Sequence, residues 1–135
     1  EQYKLETGKY VVPSPLEEEI KLSTYIANVM VHGTNKPFNV ALIVPDFDTL
    51  IPWAKEMGIP ADDRAALLKD PKVHALYTQE IAQQSKDFRS YEKVSRFALI
   101  PEDFTTENDM LTPSMKLKRR VVLERYGALL DGLYR

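Results

Sequence analysis

Residues 25–45, YIANVMVHGTNKPFNVALIVP, decide the fold of this chain. Residues 25–31 and 38–44 are both rich in the β-branched and aromatic side chains that favour strands. The turn-prone residues 33–37 separate them. Residues 40–44 are apolar without polar alternation, which is typical of a strand covered on both faces. We therefore expect a β-hairpin whose second strand is central in a sheet.

A short strand and a helix are predicted upstream of the hairpin. Residues 10–12 are β-prone and follow Gly8, a turn residue. Ser14 and Pro15 then have the pattern of an N-cap and a first helical residue. The three glutamates at 17–19 complement the positive end of the helix dipole. The side chains of this helix that we expect to face inward are Leu16, Ile20 and Leu22.

Helical signals resume directly after the hairpin. Asp46 or Asp48 can cap a helix that Gly58 ends. A helical pattern continues in residues 62–69 and, after an Asp-Pro step, in residues 71–88. Three helices are therefore expected between the hairpin and residue 88.

The last third of the chain is predicted to hold one strand, one loop and one helix. Residues 94–100 resemble a strand, and residues 102–111 are polar and loop-like. Thr112-Pro113 can open the final helix. Its apolar stripe is Leu117, Val121, Val122, Tyr126, Leu129, Leu130 and Leu133. Since strands and helices do not alternate regularly, the pattern predicts an α+β domain, with a small, mostly antiparallel sheet covered by helices.

The composition is that of one ordinary globular domain. At 135 residues, 44% of them hydrophobic, the chain is long enough to bury a core. Its formal net charge of −2 argues against a nucleic-acid partner, which usually requires a basic surface. The lack of cysteine excludes disulfides and thiolate metal sites and favours the cytoplasm. The longest apolar run, residues 40–44, is too short to cross a bilayer. Because Glu1 is not a methionine, we expect a piece of a longer protein.

No free-standing catalytic or metal centre is predicted. His32 and His74 are far apart in sequence and match no metal-ligand spacing, so both are expected to be structural or solvated. The five glycines do not assemble into a phosphate-binding loop. The acids at 17–19 fit a helix dipole better than a metal site.

Residues 111–120, LTPSMKLKRR, contain one compact basic cluster: Lys116, Lys118, Arg119 and Arg120. If the final helix opens at Thr112-Pro113, Lys116 lies in its first turn, where a cation opposes the helix dipole. A lysine beside free backbone N–H groups would suit a phosphate or carboxylate ligand. Taken alone, however, these residues favour a solvated basic face over such a site.

The same segment resembles the last core motif of the acyl-adenylate-forming superfamily, in the variant of long-chain fatty acid–CoA ligases. The resemblance rests on residues 111–119, LTPSMKLKR. It implies that Lys116 is the catalyst of adenylation. Met115 stands where the superfamily elsewhere commonly has glycine, and this departure is itself typical of the long-chain branch.

Two further segments resemble the same family. Residues 3–13, YKLETGKYVVP, are similar to the loop that follows the hinge of these enzymes, with Pro13 and Glu17 at positions where a proline and a glutamate are usual. Pro15 departs from the common glutamate. His32-Gly33 followed by residues 38–45 is similar to the central hairpin of the family. The resemblance implies that the loop contacts CoA, or its pantetheine arm, through Gly8, Lys9 and Tyr10.

The resemblance implies that residues 1–135 are the single C-terminal lid domain of a two-domain enzyme. A large N-terminal domain, absent from this chain, would bind ATP, Mg²⁺ and the long-chain fatty acid, and CoA would be the co-substrate. The lid would present Lys116 for adenylation and then rotate to present the Gly8 loop for thioester formation. Peripheral membrane association of the full-length enzyme stays open. The alternative is a non-catalytic α+β binding module that uses the basic cluster to hold an anionic partner or membrane surface.

Overall fold

The computed structural model describes all residues 1–135. Its centre is a three-stranded sheet in the order β3 (Ile26–His32), β4 (Asn39–Pro45) and β5 (Val94–Leu99). β3 and β4 form the expected antiparallel hairpin, and β5 pairs in parallel with β4. A small antiparallel ribbon of β1 (Tyr3–Lys4) and β2 (Tyr10–Val11) precedes them. The α+β prediction with a mostly antiparallel sheet is confirmed, since only the β4–β5 pairing is parallel.

Strand β4 is central and all seven of its residues are buried. Alternate side chains of a strand point to opposite faces. Ala41 and Ile43 therefore join the core on one face, whereas Val40, Leu42 and Val44 join a second core on the other. The absence of polar alternation in the sequence predicted this burial on both faces.

Four helices cover one face of the sheet. They are α1 (Pro13–Ile20), α2 (Phe47–Glu56), α3 (Arg64–Leu67) and α4 (Pro71–Gln84). Each contributes buried apolar side chains to the first core. The opposite face is covered by α5 (Arg119–Gly132) and by the segment between β5 and α5. None of the helices is both long and apolar enough to cross a membrane.

The helix boundaries after the hairpin follow the expected chemistry. Oδ1 of Asp46 accepts a hydrogen bond from the backbone N–H of Thr49 at 3.2 Å, so Asp46 rather than Asp48 caps α2. Gly58 follows the end of α2 with a φ of +73°, a conformation that glycine adopts without strain. The predicted helical segment 71–88 is shorter in the structure, because α4 ends at Gln84.

The predicted start of α1 is wrong by two residues. The helix begins at Pro13, whose fixed φ suits a first helical position, and Val12 is the N-cap without a side-chain hydrogen bond. Ser14 therefore lies inside the helix, and the glutamates at 17–19 stand beyond its first turn. Leu22, expected to face inward, is 66% exposed because α1 has already ended at Ile20.

The predicted start of the final helix at Thr112-Pro113 is also wrong. Residues 111–117 form a narrow hairpin closed by an isolated antiparallel bridge between Leu111 and Leu117. Met115 adopts a φ of +67°, which is incompatible with a right-handed helix. Helix α5 therefore begins at Arg119. Leu129, from its predicted stripe, is 43% exposed, whereas Val122 and Leu130 are buried.

Candidate functional site

Lys116 lies in the turn of this hairpin, with its backbone fixed and its side chain exposed. Its N–H donates to Oγ1 of Thr112 at 3.0 Å, and its carbonyl accepts from the N–H of Thr112 at 2.8 Å. The N–H of Met115 donates to the carbonyl of Thr112 at 2.8 Å and closes the turn. Lys116 is therefore held by the turn itself and not by a helix N-terminus, so the anion-binding geometry expected from a helix dipole is absent.

The other three cations of the basic cluster are ion-paired within the chain. Lys118 pairs with Asp109 at 2.5 Å, and Arg120 pairs with Glu124 at 2.7 Å. Arg119 pairs with residues of distant segments. Lys116 has no carboxylate partner within 4 Å. Only its ammonium is left free to meet an external anion.

Lys116 lines a groove of about 500 Å³. α1 contributes Glu17, Glu18 and Lys21 to the walls, and Asn28 and Val29 of β3 also line it. The hairpin and the start of α5 complete the lining with Leu111, Met115, Leu117 and Arg119. The groove is polar and carries both charge signs, with Lys21 and Lys116 as its unpaired cations.

Glu17 and Arg119 form a buried, bidentate ion pair beside this groove. The terminal nitrogens of Arg119 lie 2.6 and 2.8 Å from the two carboxylate oxygens of Glu17, whose side chain is only 9% exposed. The same carboxylate accepts the backbone N–H of Val31 at 2.7 Å, and Nε of Arg119 also donates to Glu1 at 2.7 Å. Burial alone lowers the pKa of Arg119, but the hydrogen bonds and charges of Glu17 and Glu1 raise it above its ordinary value.

Glu17 could not be singled out from the sequence except by its place in the family pattern. Its partner stands 102 residues later in the chain. Three consecutive glutamates fit a solvated helix end, and only the packing of α1 against β3 shows which of them is buried.

The second predicted site, Gly8 with Lys9 and Tyr10, forms the exposed tip of the β1–β2 ribbon. Gly8 has a φ of +92°, and a Cβ placed there would meet nothing within 4 Å. The ammonium of Lys9 lies 5.5 Å from the ring centroid of Tyr91, and Tyr10 is 57% exposed. The tip therefore offers backbone, one cation and one aromatic ring to the surroundings.

The ribbon is fastened to the β3–β4 turn. The hydroxyl of Tyr3 donates to Oδ1 of the fully buried Asn39, and burial raises the pKa of this tyrosine. The backbone N–H of Asn35 donates to the carbonyl of Lys4 at 2.8 Å. Gly33 leaves no space for a side chain, because an added Cβ would overlap Oδ1 of Asn39 and press on Tyr3. These contacts hold the Gly8 tip on the rest of the domain.

The structure does not bring the two predicted sites together. No groove is lined by both Lys116 and Gly8. The Lys116 groove reaches Asn28 and Val29 of β3, whereas the Gly8 ribbon contacts the turn beyond the other end of that strand. No group of three or more His, Cys, Asp and Glu side chains is arranged to hold a metal ion.

Comparison with known proteins gives matches along the whole chain. The model of the family described as the AMP-binding enzyme C-terminal domain matches residues 1–135. Long-chain-fatty-acid–CoA ligase 1 of Homo sapiens is 32% identical over 135 residues, which is 98% of this chain and 19% of that protein. The putative fatty-acid–CoA ligase fadD11 of Mycobacterium tuberculosis is 34% identical over 128 residues, or 94% of this chain and 22% of that protein. The chain thus spans about a fifth of the length of these curated relatives.

Solved structures of other proteins contain a domain with the same fold as this chain. The adenylation domain of a carboxylate reductase from Mycobacterium chelonae is 28% identical and superimposes with a TM-score of 0.75, over 98% of this chain and 19% of that one. The corresponding domain of a carboxylic acid reductase from Segniliparus rugosus was solved in complex with AMP and a co-purified carboxylic acid. It is 24% identical with a TM-score of 0.80 over the same shares, and this likeness concerns the fold alone.

Proposed function

Because this chain belongs to the family of AMP-binding enzyme C-terminal domains, we propose that it is the mobile C-terminal domain of an ATP-dependent long-chain fatty acid–CoA ligase. The overall reaction converts a fatty acid, ATP and CoA into acyl-CoA, AMP and diphosphate. Curated relatives with this printed activity match 94–98% of the chain, which supports the proposal. The cysteine-free composition agrees with a cytoplasmic enzyme.

The free ammonium of Lys116 is the observation that carries the proposal. It is exposed, its backbone is fixed by the turn, and the other three cations of the basic cluster are ion-paired. A cation held in this way can meet negative charge on a ligand without first breaking an internal ion pair. A charge that the protein positions in advance stabilises a transition state, and the turn fixes the point of the backbone from which the Lys116 side chain extends.

In the first half-reaction, we assign Lys116 to the anionic reacting groups. A carboxylate oxygen of the fatty acid attacks the α-phosphorus of ATP, and the bond from that phosphorus to the departing diphosphate breaks. The ammonium of Lys116 contacts the carboxylate and the α-phosphate, two negatively charged groups that must approach each other for the bond to form. The product is the acyl-adenylate.

In the second half-reaction, we assign the Gly8 tip to the CoA channel. The CoA thiol, losing its proton, attacks the acyl carbon of the adenylate, and AMP leaves with the electrons of the broken C–O bond. The pantetheine arm is thin, and Gly8 without a Cβ lets the backbone lie against it. Lys9 and Tyr10, both exposed at the same tip, supply the remaining contacts.

The separation of Lys116 from Gly8 supports a rotation of the domain between the two steps. Lys116 and Gly8 line no common groove, so a rotation of the domain that presents them in succession to one active site is compatible with the structure. In this proposal the partner is the enzyme's own N-terminal domain. ATP and Mg²⁺ are bound by that domain in this proposal.

The alternative of a non-catalytic module with an anion-binding basic face has less support. Three of the four cations in the cluster are engaged with Asp109, Glu17 and Glu124. What remains of the cluster is Lys116, which lies with Lys21 in a groove that also contains acids and is a poor general anion surface.

The proposal is tested by measuring acyl-CoA formation from palmitate, ATP and CoA. The full-length protein that carries this chain should form acyl-CoA only when all three substrates are present. Residues 1–135 alone should fold, since both of its cores are complete, and should show no turnover. Turnover by the isolated domain, or a full-length protein without ATP-dependent thioester formation, would contradict the proposal.

A further inference from the structure

We propose that the Glu17–Arg119 ion pair is a positioning device for Lys116, acting through the turn that carries it. The inference rests on the proposed function, and it adds two residues that contact no reacting atom. This pair sets the position of the Lys116 ammonium and prevents that ammonium from pairing with carboxylates of the same chain.

The anchor of the device is strand β3 of the central sheet. Glu17 is held to that strand by the hydrogen bond from the N–H of Val31 at 2.7 Å. Its two oxygens then receive both terminal nitrogens of Arg119, in the fork geometry that only a guanidinium provides. The orientation of the Arg119 side chain is therefore fixed relative to the sheet.

Arg119 passes this constraint directly to the turn. It is the first residue of α5 and follows Lys116 by three positions. Between them, Leu117 bridges Leu111, and the N–H of Lys118 donates to the carbonyl of Met110 at 2.8 Å. The turn is thus bonded across its base and tied at its end to the sheet. A shift of Arg119 must move the base of the turn and with it Lys116.

The pair has a second effect, which is electrostatic. Glu17, Arg119 and Lys116 all line the same groove, together with Glu1. Arg119 neutralises Glu17 and also binds Glu1 at 2.7 Å. Without that guanidinium, the carboxylates of Glu1 and Glu17 would stand unpaired in the groove beside that of Glu18 and compete with an anionic substrate for the ammonium of Lys116. The pair therefore keeps the catalytic candidate available.

Glu17→Gln in the full-length enzyme tests the inference. Glutamine can still accept the N–H of Val31 but no longer pairs as an anion with Arg119. We expect kcat for adenylation, followed as exchange of diphosphate into ATP, to fall by about tenfold or more, since misplacing a reacting group by an ångström has such effects. The KM for ATP should stay within about twofold, and thioester formation from pre-made acyl-adenylate should match the parent.

Glu19→Gln is the matched control. Glu19 lies on the same helix α1, but it is exposed, makes no ion pair and lines none of the grooves. Its substitution should leave both half-reactions unchanged. If it lowers adenylation as much as Glu17→Gln does, the loss comes from removing any negative charge from α1 and the positioning inference is overturned.

A double-mutant cycle shows whether Glu17 acts through Lys116. In a Lys116→Ala background, Glu17→Gln should cause no further loss of adenylation, because nothing remains to be positioned. Damage to the fold would instead lower the residual rate again and would reduce both half-reactions together. An additive loss in this background overturns the inference.

The double variant Glu17→Gln/Arg119→Met covers the case in which Glu17→Gln leaves a buried charge that prevents folding. It removes both charges, keeps an acceptor for Val31, and fills the space of the arginine stem. We expect parent-like melting with an adenylation rate about tenfold lower.

A parent enzyme that forms no acyl-adenylate at all overturns the proposed function and this inference together. An active parent whose folded variants adenylate at the parent's rate overturns the inference alone.

Discussion

The ammonium of Lys118 lies 2.5 Å from a carboxylate oxygen of Asp109, at the base of the hairpin whose turn carries Lys116. Both side chains are partly exposed, so the pair adds at most about 1 kcal/mol to stability. The larger effect of the pair is that the ammonium of Lys118 is bound to Asp109, whereas that of Lys116 is free. The two lysines, which are similar in the sequence, are thereby made different in the structure.

Met115→Gly should stabilise the domain. Met115 is 68% exposed and adopts a φ of +67°, which strains an L-residue by roughly 1–2 kcal/mol. Glycine removes this strain but increases the entropy of the unfolded chain by about 0.4–1 kcal/mol. The net gain should be about 0.5–1 kcal/mol, or roughly 2–4 °C in thermal midpoint.

Met57→Gly serves as the comparison for this measurement. Met57 is also an exposed methionine, but its φ is −83° and no strain is relieved there. That substitution should be neutral or destabilising by up to about 1 kcal/mol. Equal shifts of the two midpoints would show that the turn of Met115 is not strained.

His32 should make the stability of the domain depend on pH. Burial lowers the pKa of His32, and the charge of Lys36 lowers it further against the opposing effect of Asp131. The unfolded state then binds a proton more readily than the folded state. The contribution of His32 to the free energy of unfolding is therefore fully present above its pKa in the unfolded state, about 6.5, and is lost as the pH falls below that value.

Chemical denaturation at several pH values checks this. His32→Gln should flatten the loss of stability between about pH 7 and 5.5, and above that range its pH dependence should parallel that of the parent. A parent and a variant with the same slope below pH 6.5 would show that another group is responsible.

Gly8→Leu should impair the thioester-forming half-reaction selectively. Leucine places bulk where the pantetheine arm is proposed to pass, and we expect CoA-dependent thioester formation to fall by about tenfold or more. Since a Cβ at Gly8 meets nothing within 4 Å, adenylation should stay near that of the parent. Both half-reactions are measured separately in the full-length enzyme.

Two controls separate bulk from backbone strain. Gly8→Ala carries the same penalty for a φ of +92° without the bulk, and Gly58→Leu carries bulk and positive φ at a remote site. Each should cost about 1–2 kcal/mol of stability and leave thioester formation intact. If Gly8→Ala is as damaging as Gly8→Leu, Gly8 is a structural turn residue and the thiol channel lies elsewhere.

Local patterns predicted the sheet and most helices correctly. Uninterrupted apolar residues in 40–44 correspond to the doubly covered β4, and Asp46 caps α2 as expected. Both features depend on residues that are close together in the sequence, so they can be predicted from a single sequence. The family resemblance drawn from residues 3–13 and 111–119 is likewise confirmed by the match of the family model to the whole chain.

Features that depend on distant contacts or unusual backbone were not predicted. Leu117 stands four residues before Val121 and continued the helical stripe, but it pairs with Leu111 in a hairpin instead. The positive φ of Met115 could not be read from a methionine. The partner of the buried Glu17 is Arg119, 102 residues away in the sequence. The roles of Lys116 and of Gly8, Lys9 and Tyr10 stay predictions.

The central claim is that Lys116 serves adenylation and leaves the site before the thioester forms. Lys116→Ala in the full-length enzyme should lower adenylate formation by about a hundred- to a thousandfold, because a positioned cation is worth about 2.7–4 kcal/mol in the transition state. Arg120→Ala, which removes an exposed cation paired only with Glu124, should leave the rate unchanged.

The decisive measurement is the rate of thioester formation by Lys116→Ala from pre-made acyl-adenylate and CoA, compared with its rate of adenylation. We predict thioester formation at the parent's rate beside the severe loss of adenylation. Equal losses in both half-reactions would show that Lys116 stays in place throughout, and would contradict the account.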